Sequence, residues 1–346
     1  MNYTTHFLRL CFLLTILSCN RESDDLDPLP EVLWYDQAAS VWEEALPIGN
    51  GRLGAMVFGN PINERIQLND DSLWPNDLGW NHPEGTPEDL KIIRQLLVQG
   101  NIQAVDSLLV EKFSRKTVVR SHQTLGDLFI QLENEDITEY KRMLNLNEAL
   151  TTVSYKSEGF KVSQEAFVSA PNQILIIRIK SDHPNGLNGN IQLNRPKDEE
   201  VETAKTFTEK GSLFMEGQIT QRKGTFNSKP NPILDGVLFQ TIVKPSNLEG
   251  TLTVTDKNIE LKGVKELELR IVSNSSFYSK DYKNQNRTQL NAAVGKSLEA
   301  LKQIHIEDHK SLFNRVVLDL KTDNSLQHIP TNQRIEEVKQ GAVDLE

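Results

Sequence analysis

Arg52-Leu53-Gly54-Ala55-Met56-Val57-Phe58-Gly59, a turn at Asn60-Pro61, and Arg65-Ile66-Gln67-Leu68 set the reading of this chain. Two short apolar-rich runs flank a pair of residues that break regular structure, which predicts strand, turn, strand. The same signature recurs downstream. Residues 151–155 alternate apolar and polar, and 160–168 resume the pattern after Glu158-Gly159. Ile174-Leu175-Ile176-Ile177-Arg178-Ile179 is a compact apolar run ended by Asp182-His183-Pro184-Asn185-Gly186. Further strands are expected at 191–193, 213–219, 237–243, 251–254 and 267–272. Many short strands separated by Gly, Pro and Asn turns predict a mainly β fold, a large antiparallel β-sandwich.

Helices interrupt and end this pattern. Thr86-Pro87-Glu88-Asp89 is a helix start: a capping hydroxyl, a proline in the first turn, and acids at the positive helix end. Leu90, Ile93, Leu96 and Leu97 then share one face, and Gly100 stops the helix. A second short helix is expected over 102–113. Leu298, Leu301, Ile304, Leu312 and Phe313 recur at helical spacing, so 290–316 is expected to be helical, in one piece or two, and a last helix runs from 331 to 341. The expected organisation is a sandwich domain over 31–280 followed by a helical linker over 281–346. That linker carries an apolar face expected to be partly unpartnered.

The N-terminus has the grammar of export. His6 and Arg9 precede Leu10-Cys11-Phe12-Leu13-Leu14-Thr15-Ile16-Leu17, which is too short to span a bilayer but has the length of a signal-peptide core. It ends in Ile16-Leu17-Ser18-Cys19, which resembles a bacterial lipobox with a bulkier residue at Leu17 than is usual. Residues 1–19 are therefore expected to be a lipoprotein signal segment with Cys19 as the lipidated residue. Asn20 to Pro30 is polar and proline-punctuated, as a tether is. The implied location is the bacterial cell envelope, with membrane contact through the lipid anchor only. The alternative is an ordinary signal peptide cut elsewhere.

Composition narrows the function. A net charge of −10 over 346 residues repels phosphate backbones and excludes nucleic acid as a partner class. Cys11 and Cys19 are the two cysteines, so the folded body has no disulfide, thiolate nucleophile or cysteine zinc site. Glu43-Glu44 and Asp70-Asp71 are adjacent acids. Glycosidic cleavage needs two carboxyl groups facing each other, roughly 5 Å apart for retention or 6.5–9.5 Å for inversion. Neighbours on a strand point to opposite faces, so these read as solvated turn acids. His305-Ile306-Glu307-Asp308-His309 has metal-compatible spacing on a helix but no third ligand, so an amphipathic linker helix is the reading and no metal or cofactor is expected. Gly49-Asn50-Gly51-Arg52-Leu53-Gly54 reads as a glycine-rich turn entering a strand, with neither the preceding strand nor the following helix of a phosphate loop.

The run Trp42 through Gly59, followed by Glu64-Arg65-Ile66-Gln67-Leu68-Asn69-Asp70-Asp71-Ser72-Leu73-Trp74, strongly resembles the start of glycoside hydrolase family 95, whose members are α-L-fucosidases and some α-L-galactosidases. The similarity continues in Leu125-Gly126-Asp127-Leu128, in Glu165 to Pro171, and in His305 to Leu320. It departs from the family at Asp70, where Glu is usual, and at Pro75-Asn76-Asp77 and His122-Gln123-Thr124. The resemblance implies an N-terminal β-sandwich, of supersandwich type, and a helical linker. It places the general acid and the water-activating residues in an (α/α)6 barrel, and no residue here matches those positions. A chain truncated before that barrel, acting on fucosylated oligosaccharide only weakly or with a separate barrel-bearing chain, is the expectation. Asn50, Arg52, Asn69, Asp70, Asp71 and Trp74 are the candidate pocket edge: a tryptophan can stack on a sugar while amides and carboxylates fix hydroxyls. Trp42 and Trp74 are equally open to a core-packing role. The alternatives are a non-catalytic carbohydrate-binding or assembly lipoprotein, and a defective remnant.

Overall fold

The computed structural model describes residues 31–75, 84–114, 122–198, 200–222, 230–232, 236–318 and 326–344; the expected signal segment, Cys19 and the tether lie outside them. In chain order come β1 (Val32–Tyr35), β2 (Leu46–Gly49), β3 (Leu53–Val57), β4 (Asn63–Asp70), the helices α1 (Pro87–Val98) and α2 (Ile102–Phe113), then β5 (Gly126–Leu132), β6 (Thr138–Asn145), β7 (Leu150–Ser157), β8 (Phe160–Ser169), β9 (Ile174–Ser181) and β10 (Leu187–Asn194). They are followed by β11 (Ala204–Glu209), β12 (Ser212–Gln218), β13 (Thr220–Arg222), β14 (Pro230–Pro232), β15 (Leu238–Leu248), β16 (Thr251–Val254), β17 (Asn258–Val264) and β18 (Glu266–Ser275). Helices α3 (Tyr282–Val294), α4 (Leu298–Phe313) and α5 (Thr331–Lys339) end the described chain.

The strands form a nine-stranded sheet, ordered β1-β6-β7-β8-β9-β18-β15-β12-β11, and a seven-stranded sheet, ordered β16-β17-β10-β5-β4-β3-β2, with β13 and β14 as a separate ribbon. Each sheet turns alternate side chains inward, and one core cluster draws on both: Leu53, Ile66, Leu68 and Leu128 from the smaller sheet, Val168, Leu175, Ile177 and Leu269 from the larger. Each such side chain, fully buried, contributes about 1.5–3 kcal/mol. The two sheets are the sandwich the sequence predicts. Among the described residues the five helices make no helical barrel.

The run at 174–179 is apolar on both faces because β9 is covered on both. Leu175, Ile177 and Ile179 enter the inter-sheet core, while Ile174 and Ile176 join Phe167, Val272, Leu290, Leu298 and Leu301 in a second core beneath α3 and α4. Of the linker's apolar face, Leu298 and Leu301 are buried on the nine-stranded sheet, while Leu312, further along α4, is exposed. The helix expected over 290–316 is two helices, beginning earlier at Tyr282 and divided at Gly295-Lys296-Ser297. Arg270 holds the junction by donating to the carbonyls of Ala293, in the last turn of α3, and Lys296, just beyond it. His305 and His309 fasten α4 to the β6–β7 turn. His305 Nε2 donates to Glu148 O and Ala149 O, and His309 Nε2 to Leu146 O at 2.7 Å. A carbonyl oxygen only accepts, so each Nε2 carries the N–H, and these rings act as hydrogen-bond anchors of the linker.

Thr86 caps α1 as its sequence predicts, in a reciprocal box with Asp89. Gly189 fills a bulge in β10 at a φ of 152°, where a Cβ would lie 1.9 Å from Gln131 O.

The inward row of β4 reads Glu64, Ile66, Leu68, Asp70, so a buried carboxyl group stands at each end of an apolar pair. Glu64 accepts from Gly59 N at 2.9 Å and from Gln164 Nε2 at 2.8 Å, and burial raises its pKa from 4.5 to about 7. Its folded state holds the proton that its unfolded state releases above about pH 4.5. Its contribution to stability is therefore intact at low pH and is lost as pH rises from about 4.5 through about 7. Glu64→Gln should abolish that slope and stabilise the protein above pH 7 by on the order of 3 kcal/mol. Urea unfolding across this range checks it; parallel curves for wild type and variant would contradict it.

Candidate functional site

The site lies at the end of the sandwich where β4 finishes. The β2–β3 hairpin is built first. Asn50 N donates to Leu53 O, Gly51 takes a φ of 91° that other residues rarely adopt, and Asn50 Oδ1 accepts from the backbone N–H of Arg52 and Leu53. A strand does precede this glycine-rich turn, contrary to the sequence expectation, but another strand follows it, so no helix N-terminus faces the turn.

The turn aims Arg52 between the sheets. Its Nη1 donates to Asp70 Oδ2 at 2.8 Å and to Ser273 O at 2.7 Å; its Nε donates to Gln173 Oε1 at 2.8 Å. Asp70 belongs to the seven-stranded sheet, while Ser273 and Gln173 belong to β18 and the β8–β9 turn of the nine-stranded sheet. One guanidinium therefore ties both sheets together, and Asn50 Nδ2 adds a bond to Ser169 O at 3.2 Å. Asp70 is 1% exposed, which corrects the reading of it as a solvated turn acid: the β4 alternation drives it inward, where Arg52 compensates its charge. Burial still pushes its carboxyl up, against the opposing pull of Ser72 and Arg52.

Asp70 Oδ1 accepts from both the backbone N–H and the hydroxyl of Ser72, and Ser72 Oγ lies 2.6 Å from Ser275 Oγ. His122 Nε2 bonds Asp70 O at 2.8 Å, and Gln123 N donates to Leu73 O. The loop after β4 is thus held from below by Asp70, from the side by β18, and from its far end by 122–123. It presents Trp74, 54% exposed and edge-on to the His122 ring at 5.4 Å. Asp71 points the other way from Asp70 and accepts from Tyr278 Oη at 2.7 Å.

Of the candidate pocket-edge residues, the fold unites Asn50, Arg52, Asp70, Asp71 and Trp74 in this one loop system. Asn69 pairs with Gly54 in the β3–β4 register and faces away from Asp70, outside the network. Trp42 and Trp74 are both half exposed, so neither is a core residue; Trp42 Nε1 bonds Gln67 on the outer side of β4. Ser275, Phe277 and Tyr278 escaped the sequence reading. The signal available was an adjacent aromatic pair in the polar stretch Ser275-Ser276-Phe277-Tyr278-Ser279-Lys280, directly after a strand.

Residues 33–280 match the family model described as glycosyl hydrolase family 65, N-terminal domain, and residues 297–346 match that described as glycosyl hydrolase family 95 catalytic domain. Alpha-L-fucosidase 2 of Arabidopsis thaliana is 26% identical over 311 residues, covering 84% of this chain and 37% of the relative. A protein named "Probable alpha-fucosidase A" of Aspergillus niger is 27% identical over 342 residues, covering 89% and 40%. The chain spans about two-fifths of the length of the curated relatives it matches.

Arg52→Met or Asp70→Leu alone leaves one buried charge unpaired and should cost about 3–5 kcal/mol. The double variant Arg52→Met/Asp70→Leu should cost well under the sum of the two. Denaturant titration of the cycle checks this; strict additivity would mean that the pair does not act as a unit.

Proposed function

This chain belongs to the glycosyl hydrolase family 95-like group through an N-terminal domain of the family 65 type, and from that premise we propose that it is the glycan-facing sandwich of an α-L-fucosidase-like hydrolase acting on fucosylated glycans. The observation that carries the reading is the fixed loop after β4, which holds a half-exposed Trp74 beside Asp71 on a base locked by Arg52 and Asp70. An indole stacks on the apolar face of a sugar and a carboxylate accepts from its hydroxyls, and a rigid loop loses little entropy on binding. In the proposed role this rim closes one side of a sugar pocket whose catalytic groups come from a helical barrel, in the same polypeptide or in a partner chain.

The acids of the rim are not equipped for hydrolysis. Asp70 is committed to Arg52 and Ser72, and Asp71 points to the opposite side of the strand end, so they cannot face each other across a glycosidic bond. A non-catalytic carbohydrate-binding role is favoured by the same exposed aromatic residue. The chain should bind L-fucose weakly and lose that binding in Trp74→Ala. It should release no aryl alcohol from an activated aryl α-L-fucoside beyond buffer. Fucose affinity unchanged in Trp74→Ala would contradict the sugar-facing rim. Turnover that disappears in Asp70→Asn or Asp71→Asn would mean the sandwich carries its own active site.

We also propose that Cys19 is lipidated and holds the domain at the bacterial envelope, on the strength of the short apolar core ending in Ser18-Cys19 and the polar tether behind it. Metabolic labelling with a fatty-acid analogue should mark wild type and not Cys19→Ala. Equal labelling of both would rule the anchor out.

A further inference from the structure

Phe277 and Tyr278 are 65% and 54% exposed, adjacent in sequence, and placed where β18 gives way to α3. Large aromatics are normally buried, and grouped exposure is the informative case. Neither residue is free to drift. Phe277 N donates to Ser275 Oγ, whose oxygen also meets Ser72 Oγ at 2.6 Å, and Tyr278 Oη donates to Asp71 Oδ2 at 2.7 Å. The 275–278 segment is therefore stitched twice to the loop that carries Trp74, once in the buried layer and once at the surface. The two rings stand edge to face with centroids 5.0 Å apart.

We propose that Phe277 and Tyr278 form the platform for the sugar that bears the fucose, next to the fucose-facing Trp74; this rests on the reading of the rim given above. The chemistry fits a neutral pyranose. A ring of equatorial hydroxyls leaves a face of axial C–H groups that lies on an aromatic surface, and Tyr278 adds a phenol at its edge. Asp71 gives one carboxylate oxygen to Tyr278 and keeps Oδ1 without a partner among the described residues, ready to accept from a sugar hydroxyl. Tyr278 thereby fixes the carboxylate that serves both halves of the rim. Trp74 stands three residues after Asp71 in the same loop, so fucose and the sugar attached to it can be met by one continuous surface.

The test uses the full chain and three probes, L-fucose, lactose and the trisaccharide fucosyllactose, measured by calorimetry or saturation-transfer NMR. Phe277→Ala should weaken lactose and fucosyllactose about tenfold or more, equivalent to about 1.4 kcal/mol, and leave L-fucose unchanged, whereas Tyr278→Ala, which also frees Asp71, should weaken all three. Tyr278→Phe keeps the ring and frees Asp71, and should retain most lactose affinity. Both residues are exposed enough for the fold to survive in all three variants, which circular dichroism checks. Wild-type affinity for fucosyllactose in both alanine variants would overturn the platform and leave the Trp74 reading standing; a simultaneous change in self-association would assign the patch to a protein contact. Wild-type protein that binds none of the three sugars would overturn both.

Discussion

Arg52 is the point on which the end of this sandwich where β4 finishes depends. A sandwich core is apolar and directionless, and it lets two sheets slide or splay at their open ends. A guanidinium reaching Asp70 in one sheet and Ser273 and Gln173 in the other removes that freedom at one end, because its donors are planar and fixed. The interaction is costly to assemble, since both charges leave water. It is maintained because each partner would be worse off alone. What the protein gains is position: the loop after β4 cannot move without breaking bonds to Asp70, Ser72 and Ser275 together.

The same strand carries its second buried carboxyl at the opposite end, and the two acids behave differently for a physical reason. Asp70 meets a cation, while Glu64 meets an amide and a backbone N–H. Glu64 forms no ion pair among the described residues, and burial keeps its proton on to about pH 7, so it acts as a neutral hydrogen-bonding group. One end of β4 is an ionic clamp between sheets, and the other is a pH-dependent packing contact.

Much of this fold is legible in the sequence because burial writes itself into periodicity. The β3–β4 hairpin, the doubly covered β9 and the Thr86-capped helix all follow from spacing and turn chemistry. Strand β6, by contrast, has an exposed and polar first half, and β11 has no buried position and is mostly polar, so neither alternation nor apolar content marks them. The candidate site was legible in its residues but not in its wiring. Arg52 and Asp70 stand 18 positions apart and meet only once the β3–β4 register is set, with Leu53 opposite Asp70. Tyr278 lies 207 residues from Asp71 and is brought there by sheet order, which no local pattern encodes. Alternation rules Asp70 and Asp71 out as a facing pair, but it does not show that Asp70 takes the inward side, because the compensating Arg52 is 18 positions away.

The central claim is that one arginine couples the two sheets and, through them, the rim. Hydrogen–deuterium exchange of wild type and Arg52→Met, resolved by peptide, measures this coupling. The account predicts faster exchange in 69–74, 169–173 and 273–278 together, with 59–64 and 164 at the far end still protected. Faster exchange confined to 50–53 would contradict it.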